Sequence, residues 1–331
     1  MIKGWASAVI LLGLLVPAAR ADEQTVTVQL VKSLGQVPFY IAVGKGYFAK
    51  EGIKIDSGNI RSALDTVAPM ATGRLDASMG AATAGFFNAA HQGFELRVAA
   101  VLGIQGPVMA TQPLVRKALW DNGTIRSAKD LKGRKVAINA PGDITEYFLT
   151  LMMQKYGMSI KDVDTTSMEF SLQFVAFKTG AIDAGFLPEP LATAAKSAGE
   201  VALMTPEDGI GTGTPTTFLF LATKFMHDRP KVALAFMRAL VRGARDAQGG
   251  YSKDSALAGM IAQQMGFKIG AVENSAPYLF DPDLDITKYE KALRAQEAVD
   301  RKNGRLDYTE PLSYKKVIDA TLVHQAAASL K

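Results

Sequence analysis

One phrase occurs twice in this sequence. Thr72-Gly73-Arg74-Leu75-Asp76-Ala77-Ser78-Met79 returns as Thr179-Gly180-Ala181-Ile182-Asp183-Ala184-Gly185-Phe186, about 107 positions later. The same offset lays Val31 on Ile138, Gln36 on Asp143, Pro38 on Thr145, and Ala81-Ala82-Thr83 on Pro188-Glu189-Pro190. Each pair falls at the end of a strand-like run or at the start of the helix-like segment after it. The order strand, loop, helix, strand, helix, strand, loop, helix thus occurs twice in step. Such a chain is expected to fold as two similar α/β lobes. Their sheets are mainly parallel, because alternating strands and helices demand right-handed crossovers.

Local signals support this order. Val26-Thr27-Val28-Gln29-Leu30 alternates as a half-buried strand does. After it, Pro38 suits the first turn of a helix, and Gly46 and Gly52 suit exits from helical geometry. Ser62 can cap a helix reaching residue 72, with Pro69 forcing a kink or a later start. Further strands are expected over 75–79, 96–102, 135–139, 163–169, 182–186 and 201–204. Two stretches, 103–113 and 205–222, read as segments crossing between the lobes, the second returning as a strand over 216–222. The remainder reads as helical, including a strongly amphipathic segment from Pro230 and helices over 255–265, 285–299 and 311–325.

A chain of 331 residues has room for about two domains. Residues 1–21 stand apart. Lys3 precedes an apolar run over 6–16, and Ala19-Arg20-Ala21 has the small-x-small pattern of a cleavage site. The run is too short to span a bilayer, so a cleavable export leader is expected. The organisation expected is 1–21 leader, 22–104 with 216–331 as the first lobe, and 105–215 as the second. With no cysteine, an exported protein has neither disulfides nor a lipoprotein's acylation site, and its stability must come from an apolar core. A free periplasmic protein fits. The formal charge of +5 is mild, and no basic cluster interleaved with aromatics suggests nucleic acid.

Catalytic signatures are missing. The three histidines, His91, His227 and His324, lack metal-ligand spacing. Neither a P-loop nor a G-x-S-x-G elbow occurs. Gly209-Ile210-Gly211-Thr212-Gly213-Thr214 does not sit between a strand and a helix, and reads as a connector. No cofactor, no metal and no enzymatic activity are therefore expected. In sheets of this kind, ligands sit beyond the carboxyl ends of the strands, where the repeated loops lie. If the lobes face each other, four helix N-termini converge on one cleft and offer an anion site.

The residues also resemble a known family, the periplasmic solute-binding proteins of the nitrate/sulfonate/taurine class of ABC importers. The most specific block is Pro38-Phe39-Tyr40-Ile41-Ala42 with Gly46-Tyr47-Phe48-Ala49-Lys50-Glu51-Gly52-Ile53. It is supported by Gly73-Arg74-Leu75-Asp76, by Asp130-Leu131-Lys132-Gly133-Arg134-Lys135-Val136-Ala137, and by Asp183-Ala184 followed by Glu189-Pro190. The resemblance implies a type II periplasmic binding protein fold whose lobes close over one small molecule. The implied partners are a membrane permease and its ATPase, with the protein a monomer. The implied ligand is a small organic anion or zwitterion. Family positions carry over onto Gln36 and Phe39, Asn59 and Ser62, Ala82 and Thr83, then Gly142, Asp143 and Thr145, Glu189, and Phe218 beside Thr217 on the returning crossing.

Relatives often carry a glycine-serine loop where this chain has Gly142-Asp143-Ile144-Thr145. Asp143 and Glu189 each have two roles open, helix cap or ligand contact. If both face the cleft they repel a bare inorganic anion and favour a ligand with an amine or hydrogen-bond donors. Two rival functions remain. One is a sensor partner that docks on a receptor. The other is a pyrimidine-synthesis-like enzyme on the same fold; such enzymes carry a cysteine-rich motif, which this chain lacks.

Overall fold

The repeated phrase becomes two sheets with one topology. The computed structural model describes residues 23–204 and 211–331. The leader expected over 1–21 and the start of the glycine-rich run at 209–214 lie outside the described residues. In chain order the strands are β1 (Gln24–Leu30), β2 (Ile53–Asn59), β3 (Ala77–Gly80), β4 (Leu96–Val101), β5 (Ile104–Gln105), β6 (Thr111–Arg116), β7 (Lys135–Ile138), β8 (Asp164–Ser167), β9 (Ala184–Pro188), β10 (Val201–Leu203), β11 (Phe218–Ala222) and β12 (Tyr278–Leu279).

One sheet has the order β2-β1-β3-β11-β4 and the other β8-β7-β9-β6-β10. Position by position, β1 to β4 correspond to β7 to β10. In each sheet four strands run one way, and the fifth, β11 or β6, runs against both its neighbours. Those two reversed strands are the crossings. The chain enters the second lobe through β5 and β6 and returns into β11. The two connections bond to each other: Gln105 N donates to the Thr214 carbonyl at 2.9 Å, and Gly213 N to the Gln105 carbonyl at 2.9 Å. This is the two-lobed α/β architecture expected, with helices on the sheet faces.

The expected alternation of β1 is realised, with Val26, Val28 and Leu30 buried and Thr27 and Gln29 between them half-buried. Helix Val37–Gly44 begins with Pro38 in its first turn and lies against the amphipathic helix Pro230–Asp246. Gly243 makes that approach possible, since a Cβ there would stand 2.0 Å from the Pro38 carbonyl oxygen. A separate core around Phe148, Met152, Val136 and Phe186 fills the second lobe. Helix Glu290–Lys302 belongs to both lobes: Leu293 lies in the first core, whereas Val299 packs on the second. No helix among the described residues is long and apolar enough to cross a membrane.

The later helix start expected from Pro69 is met, and two other expected elements differ. A 3-10 turn over Ala63–Thr66 precedes helix Val67–Ala71, so Pro69 sits within one turn of the α-helical start. The segment expected over 285–299 splits into a 3-10 turn, Ile286–Tyr289, and the helix from Glu290. The helix expected over 311–325 exists only as Thr321–Ser329, after a 3-10 turn at Tyr314–Lys316. The cause is a sheet edge. Val98 N donates to the Val317 carbonyl at 2.9 Å and Asp319 N to the Val98 carbonyl at 3.1 Å, which ties Ile318 to β4 in a parallel bridge and interrupts the helix.

Candidate ligand-binding site

A small chamber of about 30 Å³ lies between the lobes, at the carboxyl ends of the strands of both sheets. Its walls come from the loop after β1 (Val31, Ser33, Gln36), the segment after β2 (Ser62, Ala63), the end of β3 (Gly80, Ala81), the loop after β7 (Asn139, Asp143, Ile144) and the end of β9 (Pro188). The crossings add Thr111, Thr216 and Thr217, and β12 adds Tyr278. Every wall is thus a strand end or a helix start, as the double α/β arrangement requires.

Local chemistry sets each side chain. Ser33 is extended, and its Oγ both accepts from Gly35 N at 3.1 Å and donates to Gln36 Oε1 at 2.8 Å. That bond fixes the Gln36 amide and leaves its Nε2 without a partner among the described residues. Asp143 caps helix Ile144–Gln154: its Oδ1 accepts from Thr145 N at 2.9 Å, Glu146 N at 3.2 Å and Thr145 Oγ1 at 2.6 Å. Its Oδ2 takes no hydrogen bond from the described residues. Asn139 donates through Nδ2 to the Arg61 carbonyl at 3.2 Å, while its Oδ1 is buried with no donor. Thr111 Oγ1 and Tyr278 Oη share a bond of 3.0 Å.

Burial dominates the electrostatics. Desolvation pushes the Asp143 carboxyl up to about 6, against the three hydrogen bonds that favour its charged form. Nearby, Asp300 is buried with no donor to either carboxylate oxygen among the described residues. Desolvation, and then the charges of Glu146 and Asp143, push it up to about 9. Glu146 is fully buried and is held by Arg305, whose Nη2 lies 2.6 Å and Nε 3.0 Å from Oε1. Gly142 N donates to the other oxygen of Glu146 at 2.5 Å.

The lobes touch around the chamber. Ala84 N donates to the Gly142 carbonyl at 2.9 Å, and Leu34 N to the Glu189 carbonyl at 2.9 Å. Gln296 Nε2 reaches the Ala82 carbonyl at 2.8 Å and the Gly142 carbonyl at 3.4 Å, joining both sides from the shared helix. Gly142 has φ +65, and a Cβ there would stand 2.3 Å from the Cβ of Ala84. Only glycine satisfies both conditions.

A wider outer chamber of about 380 Å³ shares Val31 and Phe170 with the inner one. It is lined also by Lys32, Asn59, Ile60, Arg61, Glu169, Ser171, Leu191 and Phe267. Of the candidates named from sequence, Gln36, Ser62 and Asp143 meet at the inner chamber and Asn59 lies on the outer one. Phe39 is instead core, its ring 5.7 Å from that of Phe48, and Phe218 is buried in β11. Ala82, Thr83, Gly142 and Thr145 stand behind the wall and position it. Thr83 caps the helix from Ala84, and Thr145 Oγ1 accepts from Asn139 N at 2.9 Å while donating to Asp143.

Glu189 does not line either chamber. Its carboxylate accepts from Gln112 Nε2 at 2.8 Å, Thr193 N and Oγ1 at 2.9 Å, Ala276 N at 3.1 Å and Ser275 Oγ at 3.3 Å. It is a saturated internal bridge, and desolvation raises its pKa. The peptide bond from Glu189 to Pro190 is cis. The expectation of four helix N-termini offering free donors also needs correction. Ser62 Oγ accepts Leu64 N, Thr83 Oγ1 accepts Phe86 N, and Asp143 accepts Thr145 N and Glu146 N. Ala84 N and Leu34 N are spent on the opposite lobe. Sequence reasoning missed Ser33, Thr111, Asn139 and Tyr278. Asn139 could have been found from its place at the end of a strand, opposite Lys32 in the repeat; Tyr278 has no local signal.

A family model described as NMT1/THI5 like matches residues 35–249. The chain belongs to the NMT1/THI5-like family. The match runs from the loop after β1 through both crossings and so includes most of the chamber. No curated protein matches the chain. Among solved structures, the periplasmic nitrate-binding protein NrtA from Synechocystis PCC 6803 is similar over 93% of this chain and 89% of its own, with TM-score 0.78 and 14% identity. The alkanesulfonate-binding protein SsuA from Xanthomonas axonopodis pv. citri, bound to MOPS, is similar over 92% and 98%, with TM-score 0.69 and 17% identity. A cysteine-to-serine variant of DszB in complex with biphenyl-2-sulfinic acid is similar over 93% and 99%, with TM-score 0.64 and 14% identity. At these identities the shared property is the fold, that of periplasmic binding proteins.

Proposed function

We propose that this family member is the periplasmic substrate-binding subunit of an ABC importer, capturing a small organic anion or zwitterion between lobes that close over it. The observation that carries the reading is the polar chamber enclosed by both lobes and by their two crossings. Its walls set hydroxyls, amides and one carboxylate among apolar residues such as Val31, Ile144, Phe170 and Pro188, a composition suited to selecting a small solute with a few polar groups. The sulfonate- and nitrate-binding proteins that share the fold support a related solute class. The same reading assigns export through the leader at 1–21, a monomer, and docking of the closed form on a permease with its ATPase. Closure follows when a ligand favours the closed arrangement of the lobes over the open one.

The test is a thermal-shift screen joined to solution scattering. The panel is taurine, alkanesulfonates, nitrate, bicarbonate, aromatic carboxylates and pyrimidines. A ligand at 100 times its Kd adds about 2.7 kcal/mol to stability. A binder that raises Tm and shrinks the radius of gyration supports capture. If neither this panel nor a broad metabolite set does so, the reading fails; turnover of a ligand would instead favour an enzyme.

A further inference from the structure

We infer that the ligand is a small zwitterion held with its amine inward, on Asp143, and its anionic end outward, toward Lys32 and Arg61. The inference rests on the capture reading and names the solute class and its orientation. Among the described residues lining the inner chamber, Asp143 carries the only formal charge. It is 1% exposed, and its Oδ2 is free to accept. Asn139 Oδ1, on the same wall, is a second acceptor without a donor. The first-turn N–H groups of Leu64, Phe86, Thr145 and Glu146 are spent on caps, and those of Ala84 and Leu34 on contacts between the lobes, which leaves the neutral Gln36 Nε2 as a free donor but no positive charge on the wall. An ammonium group, with three N–H donors, answers two free acceptors and one negative charge.

Size agrees with charge. About 30 Å³ holds roughly two waters, enough for an aminomethyl group and too little for a sulfonate with its chain. The rest of the ligand must extend past Val31 and Phe170 into the outer chamber of about 380 Å³. That chamber has two cations and one carboxylate. Lys32 lies over the Phe267 ring at 5.7 Å, Arg61 is exposed and bonded to Asp65 at 3.1 Å, and Glu169 accepts from Ser171 Oγ at 2.7 Å. The lining charges therefore run from negative inside to net positive outside, with Asp65, beyond the lining, offsetting part of Arg61, a pattern that matches a zwitterion aligned one way.

The experiment is isothermal titration at pH 7.5 with pairs that differ only by the amine: taurine and ethanesulfonate, 4-aminobutyrate and butyrate, phenylalanine and 3-phenylpropionate. Nitrate serves as the bare anion. At least one aminated member is expected to bind at least tenfold tighter than its partner. Asp143→Asn keeps the helix cap, since asparagine caps as well as aspartate. It is expected to retain wild-type Tm within a few degrees and to abolish the preference for the amine. Lys32→Gln with Arg61→Gln should weaken the zwitterion at least threefold while leaving ethylamine binding unchanged.

An unaminated probe that binds as tightly as its aminated partner, or nitrate binding that closes the lobes, overturns this orientation and leaves capture standing. An amine preference that survives in Asp143→Asn also overturns it. Absence of binding by all aminated probes overturns the small-zwitterion assignment, whereas the capture reading fails only if the broad metabolite set also fails to close the protein.

Discussion

Replacing Gly142 with alanine separates closing from folding. The residue has φ +65, where an L side chain costs about 1 kcal/mol in either lobe arrangement. For a domain of this size that strain lowers the ligand-free Tm by about 2 °C. The closed arrangement suffers more. The new Cβ would stand 2.3 Å from Ala84 Cβ, 3.0 Å from Ala84 N and 3.2 Å from its Cα, and these atoms belong to a helix start that cannot rotate away. Carbon contacts settle near 3.5–4.0 Å, so the lobes must part locally by on the order of 1 Å. That motion breaks the 2.9 Å bond from Ala84 N to the Gly142 carbonyl and leaves both groups half-buried. The lost bond and residual overlap together cost about 2–3 kcal/mol, felt only on closing. Affinity for any closing ligand should fall about a hundredfold in titration calorimetry. Adding Ala84→Gly removes the nearest atom and should recover part of the loss, giving a favourable coupling in a double-mutant cycle. Unchanged affinity in Gly142→Ala, alongside the small Tm drop, would refute the argument that this contact belongs to closure.

Other substitutions probe the surroundings. Arg305→Gln leaves Glu146 buried with Gly142 N as its remaining donor among the described residues, and should lower stability in urea unfolding by about 3 kcal/mol, because breaking a buried pair strands a charge. A loss below about 1 kcal/mol would show that Glu146 reaches water. Gly243→Ala forces a methyl against the Pro38 carbonyl and should cost about 2–3 kcal/mol without changing ligand preference; an unchanged Tm would contradict the close helix approach.

The acids predict a pH profile. Below about pH 4 both Asp143 and Asp300 are protonated whether the chain is folded or not. Above it the unfolded chain releases its protons first, so stability falls as pH rises, through about 6 for Asp143 and about 9 for Asp300. The slope per group is at most about 1.4 kcal/mol per pH unit. Asp300→Asn should flatten the part between pH 6 and 9, and an unaltered slope there would remove Asp300 from the account.

Much of the fold could be read in the chain because its signals are local. Alternation in Val26-Thr27-Val28, Ser62 as a cap, and Pro38 in a first turn need only neighbouring residues. The repeat then did what no single element could, since two phrases in step imply two lobes and put the loops after β1 and β7 opposite each other. The helix expected over 311–325 shows the limit. Its residues favour a helix, yet the free edge of β4 supplies partners for 317–319 that no local rule foresees.

The site divides in the same way. Gln36, Ser62 and Asp143 were legible because strand ends and helix starts are marked in sequence, and a repeat says which of them meet. Sequence by itself thus determined two α/β lobes, two crossings and a cleft at their strand ends. Only the tertiary structure decided which polar groups in that cleft remain free. Glu189 and the first-turn N–H groups looked available until distant partners, Gln112, Ser275, Ala276 and the facing lobe, took their hydrogen bonds. Asp143 looked like a cap and is one, but its second oxygen stays unpaired in a buried chamber. Hydrogen-bond capacity is fixed by residue type, whereas its use depends on what packing brings within about 3 Å, and that is a property of the folded chain alone.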